Sequence, residues 1–177
     1  MPGASHQRVE TALFADDGRL PNSRLPTLLY RSAIEPDPAD PASAFERRFR
    51  QHDWSNGWRS VIYTFHHYHS NSHEVLGVAR GSARLRLGGR TGRDFEVAAG
   101  DVIALPAGTG HQRIASSPDF LVAGAYPGGR DWDLIKPYEA GAEIHDAALM
   151  RIAAVPLPVF DPVAGAEGPL LRLWKTP

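Results

Sequence analysis

Short runs of hydrophobic residues, separated by polar turns, dominate the chain between residues 60 and 126. Seven runs have the length and composition of strands: 61–65, 74–78, 83–87, 95–98, 102–105, 111–115 and 120–126. The breaks between them carry turn residues such as Gly88-Gly89 and Pro106 to Gly110. Because the runs are short, evenly spaced and uninterrupted by a helix, they predict an all-β antiparallel sandwich or barrel.

The flanking segments predict a few additional elements. Leu28-Leu29-Tyr30 is a candidate edge strand, and the sequence from Asp40-Pro41 onward predicts a short helix over about 41–52. A second helix is expected over 142–154, followed by an extended segment. We therefore divide the chain into an N-terminal extension (1–59), a barrel core (60–126) and a C-terminal extension packed on the barrel (127–177).

Composition and charge exclude several classes of protein. The 177 residues include 19 basic and 20 acidic side chains, for a net charge of −1, so neither nucleic acid nor an anionic membrane is an expected partner. The chain has no cysteine. This excludes disulfide scaffolds, zinc ribbons, iron–sulfur clusters and cysteine nucleophiles.

The first residues and the hydropathy of the chain give an expectation for its cellular location. Residues 1–6 lack the basic start and the apolar core of a signal peptide. No stretch reaches the ~18 consecutive apolar residues of a membrane span. The expectation is a soluble, cytoplasmic protein without a membrane partner.

Four histidines are concentrated in residues 66–74. In a strand, residues two apart share a face, with Cα atoms roughly 6.5–7 Å apart. His67 and His69 are therefore expected to point into the same space, whereas His66 points the other way. Two neutral imidazoles at this spacing suit Zn, Fe, Mn, Ni or Cu.

Two further ligands are expected from neighbouring segments. A turn at 70–72 resets the alternation of faces, so Glu74 can point inward beside His67 and His69. His73, its neighbour in the chain, then points outward as a structural or exposed residue. His111 begins a strand directly after a Pro/Gly turn, where a side chain would lie at a barrel mouth. We therefore predict one divalent metal ion on His67, His69, Glu74 and His111.

The spacing of these residues resembles the two motifs of the cupin superfamily. The first is matched by His67-x-His69, four residues, Glu74, six residues and Gly81, and the second by Gly100, five residues, Pro106-x-Gly108, two residues and His111. The glycine expected six positions before the first histidine is Val61, and the asparagine expected four positions after the last is Ala115.

The resemblance is to small bacterial, single-domain, RmlC-like cupins of uncharacterised function. It implies a double-stranded β-helix, or jelly-roll barrel, with the metal inside. Three histidines and one glutamate supply a charge of −1 and leave one or two coordination positions open. Such a site can polarise an oxygen, activate water or, with a redox-active metal, bind dioxygen.

Three hypotheses about function follow. The first is a metal-dependent enzyme of the oxygenase or isomerase type that uses Fe, Mn, Ni or Zn on a small, oxygen-rich organic molecule. The second is a non-catalytic module that binds or senses a metal or a small ligand, and the third is a structural barrel with a vestigial site. Fold alone does not choose among them.

The lining of the barrel and its assembly can also be predicted. Inward alternation from the metal ligands selects Tyr63 and Arg113, and Tyr126 lies near the last strand, so these three are candidate substrate-binding residues. A small-molecule ligand in the barrel is the expected partner. Exposed barrel edges predict a homodimer.

Overall fold

Two antiparallel sheets and three helices form the structure, a computed structural model that describes residues 8–175. Residues 1–6, over which we expect no signal peptide, lie outside the described residues. The elements in chain order are β1 (Val9–Ala12), β2 (Thr27–Tyr30), α1 (Pro41–Gln51), β3 (Trp54–Ser60), β4 (Glu74–Arg80), β5 (Ser82–Leu87), β6 (Arg93–Ala98), β7 (Val102–Leu105), β8 (His111–Ser116), β9 (Leu121–Pro127), α2 (Ala142–Ala154) and α3 (Pro169–Leu173).

The strands divide unequally between the two sheets. The larger sheet has the order β1-β2-β7-β4-β9-β3 and the smaller sheet has the order β6-β5-β8. All the strand pairs are antiparallel. The predicted all-β jelly roll is confirmed, and both predicted helices are present.

One apolar core lies between the sheets. Leu76 and Val78 of β4 pack there with Leu85 and Leu87 of β5. The alternate residues of β5 include the exposed Arg84, which belongs to the outer face of the smaller sheet. Because side chains alternate along a strand, the face that holds Leu76 and Val78 also holds Glu74.

A second core covers the outer face of the larger sheet. Helix α1 contributes Phe45 and Phe49, which are four residues apart on one side of the helix. Phe45 packs directly against Gly77 of β4, where a Cβ atom would overlap the aromatic ring. The strands in the middle of the larger sheet are therefore buried on both faces.

The strand predicted at 61–65 is wrong, because the strand in this part of the chain is β3, at Trp54–Ser60. Segment 61–65 leaves the sheet and runs along the barrel opening, with Val61 and Tyr63 exposed. Arg113 holds this segment: its backbone N–H donates to Tyr63 O at 2.9 Å and its Nε donates to Ile62 O at 3.0 Å. Val61 and Tyr63 thus belong to the opening, whereas Ile62 between them packs into the inner core.

The larger sheet begins well before residue 60, so the boundary expected between 59 and 60 does not separate an extension from the barrel. Strands β1, β2 and β3 all belong to this sheet. Segment 28–30, expected at an edge, lies between β1 and β7. The reason is that Leu28 and Tyr30 enter the outer core while Leu29 enters the inner one, so the strand has two buried faces.

The C-terminal segment is tied to β2 through one buried carboxylate. Asp161 has no solvent exposure and accepts hydrogen bonds from the backbone N–H groups of Val163, Ala164 and Leu170. It also accepts the hydroxyl proton of Tyr30, with an oxygen–oxygen distance of 2.7 Å. Four donors thus satisfy the carboxylate and fix α3 against the sheet.

An ion pair attaches α2 to the loop after β1. His145 Nε2 lies 2.9 Å from Asp16 Oδ1, and Nδ1 lies 3.1 Å from Asp146 Oδ1. Partial burial opposes the charged form of His145, but the two carboxylates outweigh it and raise the pKa of the ring.

Within residues 8–175, none of the helices combines the length and the apolar character needed to cross a membrane.

We expect Asp161→Ala to lower the free energy of unfolding by about 3 kcal/mol, because it leaves the buried N–H groups of Val163 and Leu170, the N–H of Ala164 and the Tyr30 hydroxyl without their acceptor. Tyr30→Phe removes one donor and should cost about 1 kcal/mol. Urea unfolding followed by circular dichroism measures both. Equal losses in the two variants would contradict the role given to the carboxylate.

The His145 pair should make stability depend on pH. Because the pKa of His145 is raised in the folded state, its contribution is complete below the unfolded pKa of about 6.5 and is lost as pH rises through the folded value. His145→Gln should therefore cost up to about 1 kcal/mol at low pH and less at high pH. In an Asp16→Asn background the pH-dependent part should shrink, which urea titrations at several pH values can measure.

Candidate metal centre

Three buried histidines meet at one end of the space between the sheets. His67 and His111 exchange backbone hydrogen bonds, with N–O distances of 3.2 and 3.0 Å, and their ring centroids lie 4.0 Å apart. His69 follows two residues after His67 on the same side. One ring nitrogen from each of the three lies within 4.8 Å of the others. The structure thus brings the three predicted histidines together, although His67 and His69 belong to a bridged segment and not to a long strand.

Glu74 reaches the same point from the larger sheet. It is the first residue of β4, is 2% exposed, and points to the inner face that also carries Leu76. Its Oε2 lies 3.2 Å from His69 Nε2 and 3.3 Å from His111 Nε2. All four predicted ligand groups are therefore in one cluster.

The backbone around the three histidines orients their rings. In each ring, Nδ1 faces a backbone carbonyl oxygen, which accepts hydrogen bonds and cannot donate them. On a neutral ring the proton therefore sits on Nδ1, and Nε2 keeps a free lone pair. The carbonyl partners are Phe65 for His67 (3.1 Å), Thr109 for His111 (3.1 Å) and Asp133 for His69.

This arrangement fits a divalent cation. Glu74 Oε2 is fully buried and, among the residues that the structure describes, receives no hydrogen bond. A buried carboxylate oxygen that faces imidazole lone pairs is unfavourable unless positive charge lies between them. Three neutral imidazoles and one carboxylate are a ligand set that Fe, Mn, Ni and Zn accept.

The titration of the cluster follows from burial and from the charge of Glu74. Burial, with repulsion from His111, lowers the pKa of His67 to about 2, so this ring stays neutral. Burial also opposes the charged forms of His69 and Glu74, but their mutual attraction outweighs it, raising the pKa of His69 and lowering that of Glu74.

Asp133 supports His69 from a loop that sequence reasoning did not select. Its backbone oxygen accepts the Nδ1 proton of His69, and its carboxylate accepts hydrogen bonds from Ser70 N (2.6 Å) and from Ser70 Oγ. Arg151 of α2 donates to Ser70 Oγ at 2.7 Å. Because Asp133 is 64 residues from His69, no local pattern pointed to this contact.

Tyr126 holds the other oxygen of Glu74. The Tyr126 hydroxyl donates to Glu74 Oε1 at 3.1 Å and accepts a hydrogen bond from Trp58 Nε1 at 2.8 Å. Burial and the charge of Glu74 raise the pKa of Tyr126, so the phenol stays protonated. This chain of hydrogen bonds leaves Oε2 as the oxygen that faces the histidines.

A cavity of about 210 Å³ opens over the cluster. Of the predicted substrate-binding residues, Tyr63 and Tyr126 line it. Trp58 and Trp132, which we did not predict, line it as well. The full lining is Trp58, Ser60, Val61, Ile62, Tyr63, His67, His69, Glu74, Leu76, His111, Tyr126 and Trp132.

Arg113, predicted to bind substrate, lies outside this lining. Its guanidinium donates to Ile62 O at 3.0 Å and to Ser116 Oγ at 2.9 Å. The physical reason is the departure of segment 61–65 from the sheet, which leaves its carbonyl groups without strand partners. Arg113 supplies the donors that a neighbouring strand would have supplied.

The two other nearby histidines do not line the cavity. His73 is 3% exposed, its Nδ1 accepts the backbone N–H of Ala107 at 2.9 Å, and its ring lies 4.8 Å from that of Trp174. It is structural and covered by the C-terminal segment. The ring of His66 lies against Tyr138, at 5.3 Å.

Comparison with protein families and curated proteins gives two matches. The Cupin domain family matches residues 61–121. Over 171 residues the chain is 40% identical to the uncharacterized protein YjlB of Bacillus subtilis (strain 168), which covers 95% of this chain and 98% of that protein.

Solved structures resemble the chain at low sequence identity. A TDP-fucose-3,4-ketoisomerase (WlaRA) from Campylobacter jejuni is 16% identical over 51% of this chain and 73% of its own, with a TM-score of 0.40. Acireductone dioxygenase from Bacillus anthracis, with a cadmium ion in its active centre, is 16% identical over 51% of this chain and 61% of its own, with a TM-score of 0.36.

The geometry predicts which histidines matter for metal binding. His67→Ala, His69→Ala and His111→Ala should each weaken zinc binding by more than about 100-fold, because each removes one Nε2 from the cluster. His66→Ala is the matched control, since it removes a neighbouring ring that faces Tyr138. Elemental analysis of untagged protein and competition with a chromophoric chelator measure the effect. An equal loss in the control would refute this choice of ligands.

Proposed function

This chain belongs to the cupin superfamily, and we propose that it is a metal-dependent enzyme acting on a small organic molecule inside its barrel. In this proposal His67, His69, Glu74 and His111 hold one divalent ion: Fe, Mn, Ni or Zn. The observation that carries the proposal is the buried Glu74 Oε2, which faces imidazole nitrogens and has no hydrogen-bond donor among the described residues.

The charge of the proposed site suits an oxygen-containing substrate. Three neutral imidazoles and one carboxylate leave a net charge of +1 with a divalent ion. A bound ion would act as a Lewis acid toward a carbonyl or enol oxygen and, if redox active, would activate dioxygen. The cavity above the cluster provides room for the substrate beside the ligands.

The remaining lining residues favour oxygenase chemistry over isomerase chemistry. An isomerase of this kind needs a group that moves a proton. Within the described chain, the titratable groups of the lining besides the four proposed ligands are Tyr63 and Tyr126. The Tyr126 hydroxyl is already engaged in a hydrogen bond to Glu74. Tyr63 lies at the mouth of the cavity, where it is 48% exposed.

In this reading the protein residues hold and orient the metal ligands, and they exclude water from the site. Asp133 and the carbonyl groups of Phe65 and Thr109 aim the imidazoles, and Tyr126 aims Glu74. Large apolar side chains surround the space beside them and limit the access of water to the reacting end of the substrate.

The alternative is a non-catalytic module that holds or senses a metal or a small ligand. The shortage of proton-transferring residues in the lining supports this reading as well. It differs from the enzyme in one structural respect: a purely metal-holding site requires no coordination position open to an external ligand.

Homodimer formation and a cytoplasmic location stay predictions. Strands β1 and β3 are the two edges of the larger sheet, and an edge strand can pair with a second copy.

We expect protein purified without a histidine tag to contain about one divalent ion per chain and to have an open coordination position. Elemental analysis gives the identity of the metal. Replacement by Co²⁺ gives a visible spectrum that should change when azide is added, because azide enters an open position. His111→Ala is the variant in which both the cobalt spectrum and its response to azide should be lost.

The outcomes separate the hypotheses. Native iron or manganese together with an azide response supports the oxygenase reading, whereas zinc or nickel with an azide response supports non-oxidative chemistry or ligand binding. A bound metal whose spectrum ignores azide contradicts the enzyme and leaves the metal-holding module. No bound metal after reconstitution would leave only a structural barrel.

A further inference from the structure

Two polar groups of the cavity wall, on Trp58 and Tyr126, are already hydrogen-bonded within the protein. Trp58 Nε1 donates to the hydroxyl of Tyr126, which itself donates to Glu74 Oε1. What these two aromatic residues offer to a ligand is therefore ring surface rather than a hydrogen bond. Leu76 and Ile62 add aliphatic surface beside them.

The lining also lacks a cation that would hold a second anionic group. In the described range 8–175, neither an Arg nor a Lys contributes to it. Arg113, the guanidinium that the sequence placed nearby, is occupied by Ile62 O and Ser116 Oγ. A second carboxylate or phosphate on the ligand would enter this space without a counter-ion, at a large desolvation cost.

Two tryptophans form the part of the wall that would contact the body of a ligand. Trp132 stacks on Tyr126 with 5.8 Å between ring centroids and lies 5.2 Å from the ring of His69, so it reaches from the mouth down to the cluster. Trp58 packs over Gly124, where an added Cβ atom would overlap its ring. The position of Trp58 in the cavity wall therefore requires a glycine at residue 124.

From these observations we propose that the site binds a ligand with a single, monoanionic chelating head and a flat, apolar body. The proposal rests on the proposed metal site, which would receive the head. The body would lie against Trp58, Trp132 and Leu76. Ligands with two or more anionic groups, such as small dicarboxylates, are the class that the lining excludes.

The volume of the cavity agrees with a ligand of this size. An apolar cavity of about 150 Å³ accepts benzene. The cavity here measures about 210 Å³, which leaves room for one ring and a short chelating head. Larger bodies would extend past Tyr63 into solvent.

Two hydroxamates test the proposal, because they share the same chelating head and differ in the body. Acetohydroxamate carries a methyl group and benzohydroxamate carries a phenyl ring. Titration calorimetry with zinc-loaded protein should show benzohydroxamate binding about tenfold tighter or more. Oxalate, which chelates through two carboxylates and has no apolar body, should bind more weakly than benzohydroxamate.

Variants of the cavity wall test whether it causes the difference in affinity between the two hydroxamates. Trp132→Ala should reduce the preference for benzohydroxamate to about threefold or less, measured as the ratio of the two hydroxamate affinities on zinc-loaded protein. Gly124→Ala should lower the same ratio by displacing Trp58. Tyr138→Phe, which alters an aromatic residue outside the cavity lining, is the control and should leave the preference unchanged.

The failure of this proposal is distinguishable from failure of the metal site. Zinc binding is measured first, and its absence overturns both. If zinc binds but the two hydroxamates have equal affinity, or oxalate binds tightest, the ligand class is wrong and the metal site stands. A preference that survives both Trp132→Ala and Gly124→Ala would also overturn the assignment of the wall.

Discussion

The carboxylate of Glu74 is buried at the inner face of the larger sheet, with one oxygen held by Tyr126 and the other facing imidazole nitrogens. An ionised group in such a place must be balanced by positive charge, either a proton on His69 or a metal ion. This requirement explains why the surrounding hydrogen bonds aim Nε2, and not Nδ1, at the centre. The proposed function follows if a divalent cation supplies the positive charge that balances Glu74.

The fold meets the requirement with elements that are far apart in the chain. Strand β4 supplies Glu74, the bridged segment before it supplies His67 and His69, and β8 begins with His111. Each ring is then oriented by a backbone carbonyl, which a side-chain substitution does not remove. For His69 that carbonyl belongs to Asp133, whose carboxylate is bonded to Ser70, so the loop that carries Trp132 is joined to the ligand segment.

The loop that carries Trp132 and Asp133 contacts both the Glu74 cluster and the wall to which we assign the proposed ligand preference. Trp132 contacts both His69 and Tyr126, so one segment shapes the histidine cluster and the cavity wall. The polar atoms of Trp58 and Tyr126 serve to orient Glu74, which leaves their rings as apolar surface. A site built in this way places its ionisable groups mainly at the histidine–glutamate cluster and surrounds them with a largely apolar and aromatic lining, which is a common property of small-molecule pockets.

Local patterns in the sequence were sufficient for much of this structure. Strand-length runs and turn residues predicted an antiparallel sandwich or barrel, and the resemblance to cupins implied the jelly roll. The spacing of His67, His69, Glu74 and His111 predicted residues that the fold does bring together. The strands, the turns and the shared face of His67 and His69 depend on alternation and turns within a few residues, which the chain carries locally. Only the tertiary structure decided that 61–65 leaves the sheet, that Arg113 serves its carbonyl groups, and that Asp133 and Trp132 join the site. The physical reason is that each of these contacts joins residues dozens of positions apart in the chain. No local sequence pattern shows which distant donor or aromatic ring will contact a given carbonyl or histidine.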